Sequence, residues 1–231
     1  MITVDPTSPT SALARAEEHG WSWIVCERAP EAFETLARAV GDPVAASGKP
    51  PVARLTPQST KEARSNTTSA KYGLSAFPPH TDFAHWPEPP RWLLFRLASA
   101  VSNTPTYLFD SANLQLDEKF GEAWRRAVWQ VGRVQRGFLC SINFNVGSRR
   151  GFRWDADLMS PHGHLAIGIA ADLAREINAA AAEGAQKILW RRHDLALLVD
   201  NWRILHARGP VASADFHRVL ERIAIRDTKY E

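Results

Sequence analysis

The sequence predicts a mainly β fold with flanking helices, a distorted double-stranded β-helix or jelly roll built by a single domain over residues 1–231. Three observations predict it. From about Tyr72 onward, short apolar stretches separated by turn residues dominate the chain. Helical periodicity is confined to a few segments that would pack outside those strands. Two segments carrying possible metal ligands, His80-Thr81-Asp82 and Asp200 to Gly209, lie far apart, and a closed sheet can set them side by side. The length suits this scheme, being enough for one well-buried core and short for two.

The elements follow in order. Residues 11–18 read as a short helix, and after Gly20 residues 21–26 form a strand whose aromatic and β-branched side chains suit a pleated surface. Pro30 stands in the first turn of a helix over 31–40 that ends near Gly41. Residues 48–51 and 57–69 read as loop, the second of them mobile. A strongly apolar strand over 92–98 follows Pro89-Pro90, and a Ser102-Asn103-Thr104-Pro105 turn leads into a strand over 106–109. Residues 110–131 read as mostly helical, with Ala123-Trp124 and Ala127-Val128 on one face. Strands return at 134–145 and 152–155, and an alanine-rich amphipathic helix occupies 165–182, ending near Gly184. Three strands, 187–190, 195–200 and 219–226, complete the chain.

Composition narrows the function classes. Hydrophobic and charged fractions of 45% and 23% are those of an ordinary soluble protein. The net charge of +3 is a thin excess of 28 basic over 25 acidic residues, and no Lys/Arg run marks a nucleic-acid surface. Cys26 and Cys140 give neither a disulfide framework nor a Cys-x-x-Cys zinc motif. The N-terminus lacks a signal-peptide pattern and no apolar run is long enough to span a membrane, so a soluble, cytoplasmic protein is expected. The sequence leaves the oligomeric state open.

His80 and Asp82, in Phe77-Pro78-Pro79-His80-Thr81-Asp82-Phe83, together with His206 in the 200–209 segment, supply two imidazoles and a carboxylate. That is the ligand set of the facial triad that holds non-haem Fe(II) and leaves positions open. On an extended strand, residues i and i+2 project from one face, so His80 and Asp82 can reach one ion. His206 must then arrive on a distant strand pairing alongside. Each piece has a plain alternative. An isolated His-x-Asp on a turn is usually structural, His206 alone could be a strand-end histidine, and Arg218 or Arg222 alone could be an edge-strand charge. His85, His162, His164, His193 and His217 have no motif support and read as solvated or locally bonded.

Taken together, His80-Thr81-Asp82 followed by Pro89-Pro90, residues 103–108, His206 and His217-Arg218-Val219-Leu220-Glu221-Arg222 resemble the Fe(II)/2-oxoglutarate-dependent dioxygenases of the taurine dioxygenase and clavaminate synthase-like branch. The resemblance covers roughly residues 72–226, with a compact stretch between Asp82 and His206 that suggests trimmed loops. It implies iron held by His80, Asp82 and His206, with 2-oxoglutarate as cosubstrate and O2 as oxidant. It implies that Arg218, twelve residues after His206, grips the distal carboxylate of 2-oxoglutarate; a planar guanidinium donates two parallel bonds there. Thr106 aligns with a threonine that donates to the same carboxylate, although Thr104 would share its strand face.

Arg222 corresponds to a second arginine that contacts an anionic group of the substrate; a buried ion pair, with Glu221 or near Asp82, or a support for Arg218 is the alternative. Arg153 and Asp155, in Phe152-Arg153-Trp154-Asp155, resemble a segment bordering the pocket, with Arg153 a further substrate-binding candidate and a structural role equally open. Ala76 replaces the branch's asparagine ahead of the iron motif, so taurine is not implied as substrate. The expected activity is hydroxylation of a small polar, carboxylate-bearing molecule such as an amino acid or natural-product intermediate. Asp82 speaks for oxygenation over halogenation, because related halogenases carry a small residue there. Desaturation, cyclisation and epimerisation can follow the same hydrogen abstraction. Two other readings are a 2-oxoglutarate-independent cupin-like metal enzyme and a non-catalytic jelly-roll binding protein.

Overall fold

The computed structural model describes residues 8–45, 48–65, 67–99, 101–132 and 137–228. The first part of the chain forms α1 (Pro9–His19), β1 (Trp21–Val25), α2 (Pro30–Val40), β2 (Asp42–Val44), β3 (Ala53–Leu55) and α3 (Thr68–Tyr72). The middle contributes β4 (Phe77–His80), β5 (Trp92–Leu97), β6 (Ser102–Asp110), α4 (Leu116–Phe120), α5 (Ala123–Arg126) and β7 (Val128–Val131). Then come β8 (Phe138–Cys140), β9 (Asn143–Val146), β10 (Arg149–Phe152) and β11 (Met159–His162). The chain ends with α6 (Gly163–Gly184), β12 (Gln186–Trp190), β13 (Leu195–Asp200), β14 (Ile204–Arg208) and β15 (Leu220–Arg226).

All pairings among the described residues are antiparallel, and two sheets define the architecture. One runs β1-β13-β5-β15-β2 with β3 also on β15, and the other runs β12-β6-β14-β4. Alternation along β5 and β13 shows why these runs are apolar throughout. Leu93, Phe95 and Leu97, with Leu197 and Val199, join Leu108, Ile188, Trp190 and Ile204 of the other sheet in one buried cluster. Trp92, Leu94, Ala196 and Leu198 point the opposite way, against Leu13 and Ala16 of α1 and Phe33, Leu36 and Val40 of α2. Strands buried on both faces lose the polar half of the usual alternation. The outward residues Phe109 and Leu205 of the second sheet meet α6 and the β7/β8/β11 sheet. Two sheets face to face with helices outside make the expected double-stranded β-helix.

Local chemistry sets the helix ends. Ser8 accepts a bond from the Ser11 amide at the start of α1, and Pro30 opens α2, where its missing N–H costs nothing. Gly20 closes α1 in the left-handed region at φ 84°. A Cβ there would lie 2.4 Å from Ile204 Cδ1, so the α1–β1 turn sits tightly against β14.

The structure corrects several expectations. The 102–105 turn is strand: β6 begins at Ser102 and runs through Pro105, with a register irregularity in its pairing to β12. Pro105, which has no N–H to donate, falls where the register with β12 shifts between the Thr106–Ile188 and Ser102–Trp190 pairs, and its carbonyl accepts the Gly209 amide at 2.9 Å. The 110–131 segment is short helices only as far as Arg126, and Val128–Val131 pairs with both β8 and β11. Residues 153–155 lie past the end of β10, and the predicted 134–145 strand is two strands, its residues 134–136 lying outside the described residues. No helix among the described residues is long and apolar enough to cross a membrane.

Candidate metal centre and cosubstrate pocket

His206 meets His80 because β14 pairs with β4 in that register, and the two rings stand 4.4 Å apart between centroids. This is the distant strand alongside that the sequence predicts. Asp82 arrives differently, since β4 ends at His80 and the chain turns immediately. Buried Thr81 is tied to Trp154 in both directions, its amide donating to the Trp154 carbonyl at 2.7 Å and its Oγ1 accepting the Trp154 amide at 3.1 Å. Asn201 fixes the next peptide. It accepts the Asp82 amide at 2.9 Å and donates to the Asp82 and Pro90 carbonyls at 3.0 and 2.9 Å. Phe83 then takes φ 59°, the one positive value among the described non-glycine residues. A phenylalanine held there is strained, and such strain clusters at functional sites.

One donor atom from each of His80, Asp82 and His206 can be chosen so that all lie within 4.8 Å of one another. Asp82 Oδ1 lies 3.7 Å from His80 Nε2, and Oδ2 lies 3.5 Å from His206 Nε2. Neighbouring ligands each roughly 2.1 Å from an ion stand roughly 3 Å apart, so small side-chain adjustments close the set. His80 Nδ1 lies 2.9 Å from the Pro78 carbonyl, which fixes the proton on that nitrogen and leaves Nε2 free as a ligand. His206 Nδ1 is buried without a partner among the described residues. The donor set fits a divalent transition metal of the facial-triad type.

Electrostatics reinforce the cluster. Burial alone would raise the Asp82 pKa, but the charges of Arg222 and His206 and hydrogen bonds from both histidines hold it well below the usual carboxylate range. Burial lowers the His80 pKa, yet Asp82, Asp155 and the Pro78 carbonyl carry the net shift upward. His206 is lowered by burial and then by the charge of His80. Asp155, close enough to feel His80, is raised by burial.

The other site candidates divide. Arg222 donates through Nη1 to Asp82 Oδ2 and lies 4.9 Å over the Phe83 ring, so the ion-pair alternative is the arrangement present. Glu221 pairs instead with Arg96. Arg218 is buried and precedes β15 rather than lying in it, so it is not placed by strand alternation with Arg222. Its Nη1 donates to the Thr104 carbonyl at 3.1 Å and its Nε has no partner among the described residues. The Thr104 hydroxyl is committed, donating to Asp215 at 2.7 Å and accepting the Ala212 amide at 3.0 Å. Thr106 Oγ1 accepts Trp190 Nε1 at 3.0 Å and keeps its own proton to donate. Arg153 is buried between Phe138 and Phe144, at 5.3 and 5.1 Å, and donates to the Pro87 carbonyl at 2.6 Å; none of these contacts involves the triad.

Sequence reasoning missed Asn201, although it stands in the quoted segment five residues before His206. Its partners are backbone groups of a distant turn, which no local pattern reveals. A separate cleft of about 570 Å³ is lined by Arg91, Arg149 and Arg203 among others. Arg91 is paired there with Asp200 and Asp227, Arg149 with Glu17 and Arg203 with Asp110.

No protein-family profile matches the chain, and no curated protein matches it in sequence. Solved structures do match in shape. Asparagine oxygenase (AsnO) superposes with a TM-score of 0.72 at 14% identity, over 95% of this chain and 77% of that one. PvcB from Pseudomonas aeruginosa gives 0.70 at 20% identity over 94% and 80%. The non-heme iron oxygenase OrfP, in complex with Fe and alpha-ketoglutaric acid, gives 0.69 at 14% identity over 94% and 78%. These likenesses establish the fold as that of iron- and 2-oxoglutarate-dependent oxygenases.

Proposed function

We propose that the chain is an Fe(II)- and 2-oxoglutarate-dependent oxygenase, one domain over residues 1–231, that hydroxylates a small polar, carboxylate-bearing molecule such as an amino acid. The convergence of His80, Asp82 and His206 carries the reading, and buried Arg218, whose Nε has no partner among the described residues, supports it. Fold neighbours support the substrate class: one is an asparagine oxygenase seen with Fe(II), hydroxyasparagine and succinate, another is OrfP seen with (3S)-hydroxy-L-Arg. Bound iron would supply the reaction that puts one oxygen atom of O2 into a substrate C–H bond and the other into succinate, as 2-oxoglutarate loses carbon dioxide.

The chain's own residues have narrower tasks. His80, Asp82 and His206 would hold the ion on one side and leave the opposite side for cosubstrate. Arg218 would take the distal carboxylate, with the Thr106 hydroxyl donating beside it. Arg222 would keep Asp82 ionised and oriented, and its remaining donors could meet a substrate carboxylate. The test is succinate formation from 2-oxoglutarate in the presence of Fe(II) and O2, with a screen of amino acids for stimulation. Arg218→Ala is expected to raise the Michaelis constant for 2-oxoglutarate steeply, by about 2–5 kcal/mol in binding, because it strips a carboxylate of its charged partner. Thr106→Val removes one neutral hydroxyl bond and should cost about 1 kcal/mol. A normal cosubstrate response in Arg218→Ala would refute the clamp.

A further inference from the structure

Arg208 is left unexplained by the roles given so far. It ends β14 two residues past His206, on the same face, and stands opposite Thr106 of β6 in the ladder. Its guanidinium lies 3.6 Å over the Phe77 ring, and Nη2 donates to the Gly73 and Ser75 carbonyls at 2.7 and 2.5 Å. Its Nε is buried without a partner among the described residues, and no described carboxylate pairs with it. Arg218 reaches the same end of β6, bonding the carbonyl of Thr104, two residues from Thr106. The acid nearest in effect to Arg218 is Asp215, whose oxygen is already occupied by Ser102 and Thr104. Burial, and then the charge of Arg218, push the Arg208 pKa down to about 10, which still leaves it a cation at neutral pH. Arg218 feels the charge of Asp215, whereas Arg208 has no described carboxylate beside it, so an anion reaching both guanidiniums would be held by charge-assisted bonds.

We propose that Arg208 is a second arm of the dicarboxylate receptor, gripping the distal carboxylate with Arg218 and Thr106, and that Trp190 positions the Thr106 hydroxyl by filling its acceptor side. The proposal rests on the cosubstrate assignment above. The plain alternative is that Arg208 only staples the 73–75 backbone to β14.

Anaerobic calorimetry on the Mn(II)-loaded full chain separates the cases, with 2-oxoglutarate titrated against 2-oxopentanoate, which has a methyl group in place of the distal carboxylate. Arg208→Met is expected to weaken 2-oxoglutarate at least about tenfold, the worth of a charge-assisted bond, and to leave 2-oxopentanoate unchanged. Arg208→Lys, which keeps the charge without the fork, should show the same selective loss at about threefold and serves where the methionine variant does not fold. Trp190→Phe should lose about threefold, again for 2-oxoglutarate alone. Unchanged binding in both Arg208 variants, or equal loss for both keto acids, overturns the proposal. If Arg218→Met alone loses 2-oxoglutarate, the clamp stands and the second arm falls. If the parent protein does not prefer 2-oxoglutarate, the cosubstrate assignment fails and takes this proposal with it.

Discussion

His80 and Asp82 reach one point by different means, the first from a strand end and the second from a turn pinned by Asn201. The residue types were legible in the sequence, because His-x-Asp and a distant histidine are a recognisable ligand set. The device that aims them was not, because a side-chain amide bonding a remote backbone leaves no spacing signal. Asn201→Ala removes two hydrogen bonds from Asp82 and one from the Pro90 carbonyl and is expected to weaken Mn(II) binding about 10–100-fold, measured by calorimetry, with His80, Asp82 and His206 intact. Affinity equal to the parent's would show that the turn holds its shape without it. Asp155 makes a second prediction at this scale. Burial sets its folded pKa above the ordinary value, so folding disfavours the ionised form. That cost is absent below the unfolded pKa of about 4 and grows as pH rises through the folded one. Asn can still accept from the Asp157 and Leu158 amides that Asp155 serves. Asp155→Asn should therefore raise the Tm of the metal-free protein at neutral pH, and the gain should fade toward pH 4. A gain independent of pH would contradict this.

At the scale of elements, the apolar strands and the long helix were legible because burial on two faces and alanine-rich periodicity leave strong patterns. Residues 195–200 are strand as predicted, and α6 ends at Gly184. The short edge strands β2, β3 and β11 were not seen, since three or four residues carry too little alternation. Val128–Val131 was misread because Ala127 and Val128 also satisfy a helical spacing; pairing with two neighbours overrides that pattern. The Arg96–Glu221 pair shows how β5 and β15 are locked. The two stand opposite in the ladder, bonded at 2.7 Å, while Arg96 also donates to the Glu27 and Ala29 carbonyls and lies 4.5 Å over Phe33 of α2. Glu221→Ala strands a largely buried guanidinium and should cost about 3 kcal/mol in urea unfolding. A loss below about 1 kcal/mol would class the pair with surface ion pairs.

For the whole molecule, the two-sheet core places β14 between β4 and β6, so one strand carries His206 toward the triad and Arg208 toward Thr106. The β-helix was legible because short apolar stretches separated by turn residues dominate the chain and the candidate ligand segments lie far apart. The placing of His206 and Arg208 on one face of that strand was not, since it depends on register. Ligand linkage follows: divalent metal at a hundred times its Kd should stabilise the protein by about 2.7 kcal/mol, reversed by chelator and absent in His206→Ala. The most direct measurement is an anaerobic titration with Fe(II) and 2-oxoglutarate followed by visible absorbance. The account predicts a weak charge-transfer band that saturates at one equivalent of iron and is lost in His80→Ala. No band in the parent, or the same band and iron affinity in His80→Ala, would contradict it.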